Sequence, residues 1–425
     1  MVRLSLSALH ASSEEIALKN KPGLLVNFWL VFIALSGCSD PAVLLMASPA
    51  GDNTSGPNVS VTINGQPILS WQRKLDDITI LEYSVLSNGA WSEPIEIARG
   101  KDWFVNWADI PAVQPVTEKF WAAYYLKRTH GGKYAYDVQL RLSNDGGKNW
   151  RDAGSPHKDG TLAEHGFVSM YPNAESLGVI WLDGREMSSQ GDVEKHHGSQ
   201  GGMTLRSVSM DSGGRFSDRR IVDSLVCDCC QTAAVMTRDS PLVVYRDRTQ
   251  SERRDIASSR WEQDAWTPPK PVSVDGWHID GCPVNGPALV AQENDVVATW
   301  FSGAGGKAQI FFARSSNGGK SFEERIRVGE GPVLGRVSAL MYPDRSLFIT
   351  WMQEAALGKA MIVGRHITSK NELSELAELA DVSPTRASGF PKLLLSGSDT
   401  ILAWTDQLGP SPRVKTLSID IESFR

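Results

Sequence analysis

The chain has 425 residues, a formal net charge of −6 and 14 Trp, with 41% hydrophobic residues. Mild acidity without a basic stripe excludes a nucleic-acid binder. No Rossmann or P-loop glycine pattern is present, so no nucleotide site is expected, and no cofactor of any kind.

In chain order, an apolar run of 12 comes first, residues 24–35. It is too short to span a bilayer and has the length of a signal-peptide core. Lys19 and Lys21 precede it, and Leu35-Ser36-Gly37-Cys38 follows directly. That ending resembles a bacterial lipobox. It makes residues 1–38 a lipoprotein signal peptide and Cys38 the lipidated first residue of an envelope protein anchored in the membrane. Ser39 after it fits outer-membrane sorting. The rival reading is a buried strand followed by a chance Cys. Residues 39–56 are small, polar and Gly/Pro-containing, so they read as a tether, within which Val43-Leu44-Leu45-Met46 could form a strand. Residues 57–425 form the body, expected to be monomeric. It exceeds the usual single-domain size, yet closed β folds of this length occur as one unit.

The body repeats. Ser143 to Trp150 reads Ser-x-Asp-x-Gly-x-x-aromatic, Ser209 to Phe216 repeats it, and Ser315 to Phe322 repeats it with Asn in the Asp place. Weaker copies run from Ser84 to Trp91 and from Ser259 to Trp266. The pattern describes a self-satisfied hairpin. Gly147 takes positive φ, Ser143 and Asp145 bond backbone N–H groups, and Trp150 anchors the turn. Short apolar runs ending at Trp71, Tyr124, Trp181, Tyr245, Trp300, Trp351 and Trp404 add seven marks, spaced by 51 to 64 residues. Strand-type composition without sustained helical periodicity, at this period, predicts an all-β propeller of four-stranded blades. Seven blades are expected, with six and one irregular unit as the alternative. The last unit ends after its third strand, so Val43–Met46 could close the ring.

These turns resemble the Asp boxes of the sialidase (bacterial neuraminidase repeat) superfamily, whose members are β-propellers. The strings Asn106-Trp107-Ala108-Asp109, Glu164-His165-Gly166-Phe167, Trp181-Leu182-Asp183-Gly184-Arg185, Cys227–Gln231 and Gly281–Pro287 resemble exported bacterial sialidase-like propeller proteins. In that family the Asp box lies on the face away from the active site.

Counting back 15 to 17 residues from each aromatic mark reaches Trp107, His165, Cys229, Val284, Arg336 and Gly389, just after Arg386. These share one register, at the entry to the innermost strand. Loops after the marks open on the same face and carry Asp183-Gly184-Arg185, Arg246-Asp247-Arg248, Arg253-Arg254-Asp255 and the Glu186–Gly202 excursion with His196 and His197. A common mouth is therefore expected. Its arginines, Arg185, Arg246, Arg248, Arg254, Arg336 and Arg386, suit an anionic ligand such as an acidic glycan. Asp109, Glu164, Asp183 and Asp247 are the candidate catalytic acids. Trp107, His165 and Asn285 complete the binding set. The bland reading of the Arg/Asp pairs is an ion-pair network tying blades together.

The resemblance implies three arginines on a substrate carboxylate, a tyrosine nucleophile with a carboxylate partner, and an aspartate acid/base. This chain departs from it twice. Asp109-Ile110-Pro111 lacks the family's Arg before Ile, and no Tyr occupies an obvious late mouth position. Cys227, Cys229, Cys230 and Cys282 fall in equivalent loops of neighbouring blades. Disulfides are the expectation for an exported chain, with one bridge from Cys282 to the cluster. A thiolate metal site is the rival, but Cys-x-Cys-Cys is no standard zinc spacing. Three functions stay open: a glycosidase of exo-α-sialidase type, a non-catalytic propeller binding a glycan or other anionic ligand, and a Cys-centred metal or redox site.

Overall fold

The computed structural model describes residues 43–130, 132–187 and 201–424. The stretch read as a signal peptide, with Cys38, and His196 and His197 lie outside the described residues.

The chain forms seven antiparallel sheets of four or five strands. Each sheet is one blade. The innermost strands, for blades I to VII, are Thr54–Val61, Val113–Pro115, His165–Asn173, Ala233–Met236, Ala288–Gln292, Val333–Met341 and Lys392–Ser396. They contact one another in ring order. This is the β-propeller expected from the repeats, with seven blades rather than six. The aromatic marks all fall on second strands, which are covered by a neighbouring blade on each face. Pro241–Arg246 is accordingly buried at every position, a continuous apolar run rather than an alternating one. The outermost strand Phe216–Val226 is mostly exposed along its first half.

The ring closes with strands from both ends of the described chain. Val43–Met46 pairs antiparallel with Arg413–Ile419 as the outer strand of blade VII, Val43 opposite Ile419 and Met46 opposite Thr416. Blade I starts at Thr54, inside the stretch read as tether.

The three good repeat turns join third to fourth strands. In the first, Gly147 N–H donates to Ser143 Oγ at 2.9 Å and Asn149 N–H to Asp145 Oδ1 at 2.9 Å. Asn317 substitutes for Asp by accepting from Ser321 N–H at 3.0 Å. Gly147 has φ of 86°, where a Cβ would lie 2.4 Å from the Tyr83 hydroxyl. The turn therefore requires glycine twice over.

On the opposite face the entry to the innermost strand has its own repeated backbone form. Gly56, Phe167, Val284, Arg336 and Gly389 all have φ between 49° and 63°. Four nearby amides at this level are held by side chains from other blades. Phe167 N–H donates to Asp109 Oδ2 at 2.7 Å, and Gly286 N–H to Gln231 Oε1 at 3.0 Å. Arg336 N–H donates to Asn285 Oδ1 at 2.8 Å, and Gly56 N–H to Thr405 Oγ1 at 3.1 Å. A β-branched Val284 in the left-handed region is a costly conformation that surrounding packing must enforce. These latches fix the loops that carry the polar residues.

Candidate functional site

Glu164, immediately before the innermost strand of blade III, reaches back to blade II. Its Oε1 accepts a hydrogen bond from the Tyr136 hydroxyl at 2.7 Å. Burial, opposed by that bond and aided by the charge of Asp109, pushes the Glu164 carboxyl up to about 8. Burial likewise pushes Asp109 up to about 7. Asp109 is 1% exposed and its Oδ1 has no hydrogen-bond partner among the described residues. Two carboxyls and a phenol thus share a small volume in which charge is disfavoured, and at neutral pH Glu164 carries its proton. Such a group can give a proton to a reacting oxygen.

Gly166 makes this arrangement possible. A Cβ there would lie 2.1 Å from Asp109 Oδ2 and 2.8 Å from the Tyr136 ring. Gly166→Ala is expected to lose about 3 kcal/mol of stability, the upper range for overpacking a tight site. Urea unfolding checks this, and a midpoint unchanged from wild type would mean that Asp109 and Tyr136 do not meet there.

His165 points the other way. It is fully buried, with Nδ1 3.3 Å from Asp137 Oδ1 and Nε2 3.4 Å from Asp159 Oδ2. Its ring stacks on His157 with centroids 3.8 Å apart and planes 12° from parallel. His157 Nε2 accepts from Val138 N–H at 3.2 Å. Burial and the neighbouring His165 push His157 down to about 4. Arg185 pairs with both Asp159 at 2.8 Å and Asp183 at 2.6 Å. Asp183 is fully buried and held below its usual range, despite burial, by Arg185 and His165. Arg185 therefore fills the cationic place in this cluster. One ion could not lie in the planes of both stacked rings at once.

In blades IV and V, Arg246 is 1% exposed and donates to three carbonyls: Asn285 at 2.9 Å, Arg254 at 2.7 Å and Phe301 at 2.7 Å. Its guanidinium also sits 4.8 Å from the Trp277 ring centroid. Arg254 is fully buried against Glu252, at 2.8 Å, and Cys227 Sγ, at 3.5 Å. Arg248 bonds Asp228 at 3.0 Å and Glu252 at 2.6 Å. Cys229 is disulfide-bonded to Cys282, the inter-blade bridge expected, and Cys227 to Cys230. Asp247 is pushed up to about 6, chiefly by burial and then by Asp223, which accepts from the Tyr245 hydroxyl at 2.7 Å.

Arg336 donates to the carbonyls of Thr385, at 3.1 Å, and Gly389, at 3.3 Å. It lies 5.1 Å from the Trp107 ring centroid, and Arg386 lies 5.8 Å from it. Trp107 stacks on Phe390 with centroids 5.7 Å apart. Arg386 is exposed. Five of the six candidate arginines thus spend their donors on protein carbonyls or carboxylates, while Arg386 presents its side chain outward. Of the candidate acids, Asp109 alone lines the axial cavity, which measures about 350 Å³. The others form an arc over blades II to IV.

Tyr136, Asp137, His157 and Asp159 were not singled out from sequence. Tyr136 and Asp137 open the third strand of blade II, and the loop before it lies on the mouth face by the same alternation that placed the other loops. That signal was available for Tyr136.

No protein-family model matches the chain, and no curated protein is significantly similar to it. Among solved structures it is similar to a protein of unknown function from Dyadobacter fermentans, with TM-score 0.50, 16% identity, and 90% of this chain and 97% of that one covered. The polysaccharide lyase Uly1 aligns with TM-score 0.50 and 10% identity over 86% of this chain and 90% of that one. A mutant Trypanosoma rangeli sialidase displaying trans-sialidase activity aligns with TM-score 0.43 and 12% identity, over 80% of this chain and 56% of that one. At these identities the likeness is one of fold.

Proposed function

We propose that this protein is a carbohydrate-active propeller that cleaves an acidic glycan, with Glu164 as the proton donor. The observation that carries this reading is the half-buried Glu164, its carboxyl 2.7 Å from the Tyr136 hydroxyl and raised to about 8 by burial and the Asp109 charge. The proton passes from Glu164 to the glycosidic oxygen as the bond from that oxygen to the anomeric carbon breaks. Water completes hydrolysis by adding hydroxide to the anomeric carbon, and its remaining proton restores the Glu164 carboxyl. Arg386, exposed beside Trp107, itself two residues before Asp109, supplies charge for an anionic sugar. The test is release of reducing ends from sialylated and uronate-containing glycans by purified protein, with Glu164→Gln as control. Binding without product in any of them would leave a non-catalytic propeller.

The reading extends to location. Cys38 is the acylated residue of an envelope lipoprotein, supported by the apolar run and Leu35-Ser36-Gly37-Cys38. Expression of the full chain in a bacterium fed labelled palmitate is expected to label the wild type and not Cys38→Ser. Equal labelling of both, or of neither, would remove the anchor.

A further inference from the structure

The axial cavity is walled by the innermost strands and the loops entering them, with apolar side chains and the polar Asn58, Gln114, Ser169, Gln231 and Thr232. Its ionisable lining residues are Asp109, Lys392 and Tyr124, whose hydroxyl donates to the Ile110 carbonyl. Asp109 is latched to Phe167 N–H, whereas Lys392, first residue of the innermost strand of blade VII, has no hydrogen bond or ion pair among the described residues. Lys392 is half-buried, and burial alone pushes it down to about 8. Next to it, Leu393 N–H donates to Ser338 Oγ of blade VI at 3.1 Å. Ser338 is 7% exposed, lines the same cavity, and its own O–H has no acceptor among the described residues. Innermost strands are also sheet edges, paired on one side only, so they present both N–H and C=O groups towards the axis. Lys392 and Ser338 thus place two donors without a protein acceptor, among the described residues, on this wall of the cavity.

We propose that the central channel is a binding site for a small monovalent anion, a halide or a one- or two-carbon carboxylate, held by the Lys392 ammonium and the Ser338 hydroxyl. The volume of about 350 Å³ admits such an ion with several waters. A dianion would be left with one charge that Lys392 alone cannot balance. The site is separate from Glu164 and stands or falls independently of the glycan reading.

The test is thermal unfolding of the purified protein at pH 7 in gluconate, replaced at constant ionic strength by chloride, formate or acetate. A saturable rise in melting temperature is expected, because ligand that binds the folded state alone stabilises it. Lys392→Met is expected to weaken the apparent affinity about tenfold or more, the effect of losing a charge-assisted bond, and Ser338→Ala to weaken it less. Response to chloride alone makes it a halide site, and response to the carboxylates alone makes it a carboxylate site. No saturable response in the wild type, an equal response in Lys392→Met, or tighter binding of sulfate would overturn the proposal. Should Lys392→Met fail to fold, wild-type crystals soaked in bromide decide. An anomalous peak beside Lys392 supports the site, and an empty channel removes it.

Discussion

Glu164→Gln should lower kcat by about 10²- to 10⁴-fold, the usual contribution of a positioned general acid, with little change in folding. The amide keeps the shape and can still accept from Tyr136, so what it removes is the transferable proton. The pH profile carries more information than the loss itself. A carboxyl raised to about 8 is protonated below that value, so wild-type activity is expected to hold through neutrality and fall as pH rises past about 8. The residual activity of Glu164→Gln should lack that limb. Neighbours should move the limb in opposite directions. The Tyr136 hydroxyl favours the ionised carboxylate, so Tyr136→Phe should shift the limb to higher pH. The Asp109 charge disfavours it, so Asp109→Asn, which keeps an oxygen for Phe167 N–H, should shift it lower. Activity of Glu164→Gln within threefold of wild type, or a limb unmoved by both neighbours, would exclude Glu164 as the donor.

The second large effect is on stability. Arg246→Leu should cost about 4 kcal/mol, since three carbonyls, one buried and two half-buried, lose charge-assisted donors together and each unmet acceptor costs roughly 1–3 kcal/mol. Lysine would not rescue it, because one ammonium cannot reproduce a planar fork aimed at three acceptors. Arg413→Leu is the control. Arg413 is half-exposed and 3.7 Å from Asp52, so its loss should change stability by about 0.5 kcal/mol or less. Urea midpoints of the two variants make the comparison, and similar values would mean that Arg246 does not join blades IV and V.

Much of this molecule can be read from its residues because a propeller is periodic. The turn at Ser143–Trp150 and the aromatic ends of the second strands recur at one spacing, and period alone yields blade number and the face on which each loop emerges. Closure by Val43–Met46 follows from a missing fourth strand in the last unit. What sequence cannot supply is which side chain meets which across a blade interface. Arginines at the mouth suggest a clamp for an anion, yet Arg246 and Arg336 turn inward onto carbonyls, and Arg185 onto Asp159 and Asp183. The pairing of Tyr136 with Glu164 stayed hidden because the two are 28 residues apart, in neighbouring blades. Lys392 gives no sign of lining the axis until the innermost strand is placed. Arg336 falls within a strand rather than before it, since a backbone irregularity between Gly335 and Ser338 breaks the register there.

The cross-blade latches bear on how such a molecule meets a large polymer. Each one ties an amide of one loop to a side chain rooted in another sheet, so no single loop can swing without releasing its neighbour. A saccharide chain arriving at this rim would encounter a stiff template rather than a closing jaw, and selectivity would come from complementarity already present. Orientation is then settled before contact, and the encounter costs the protein little conformational entropy.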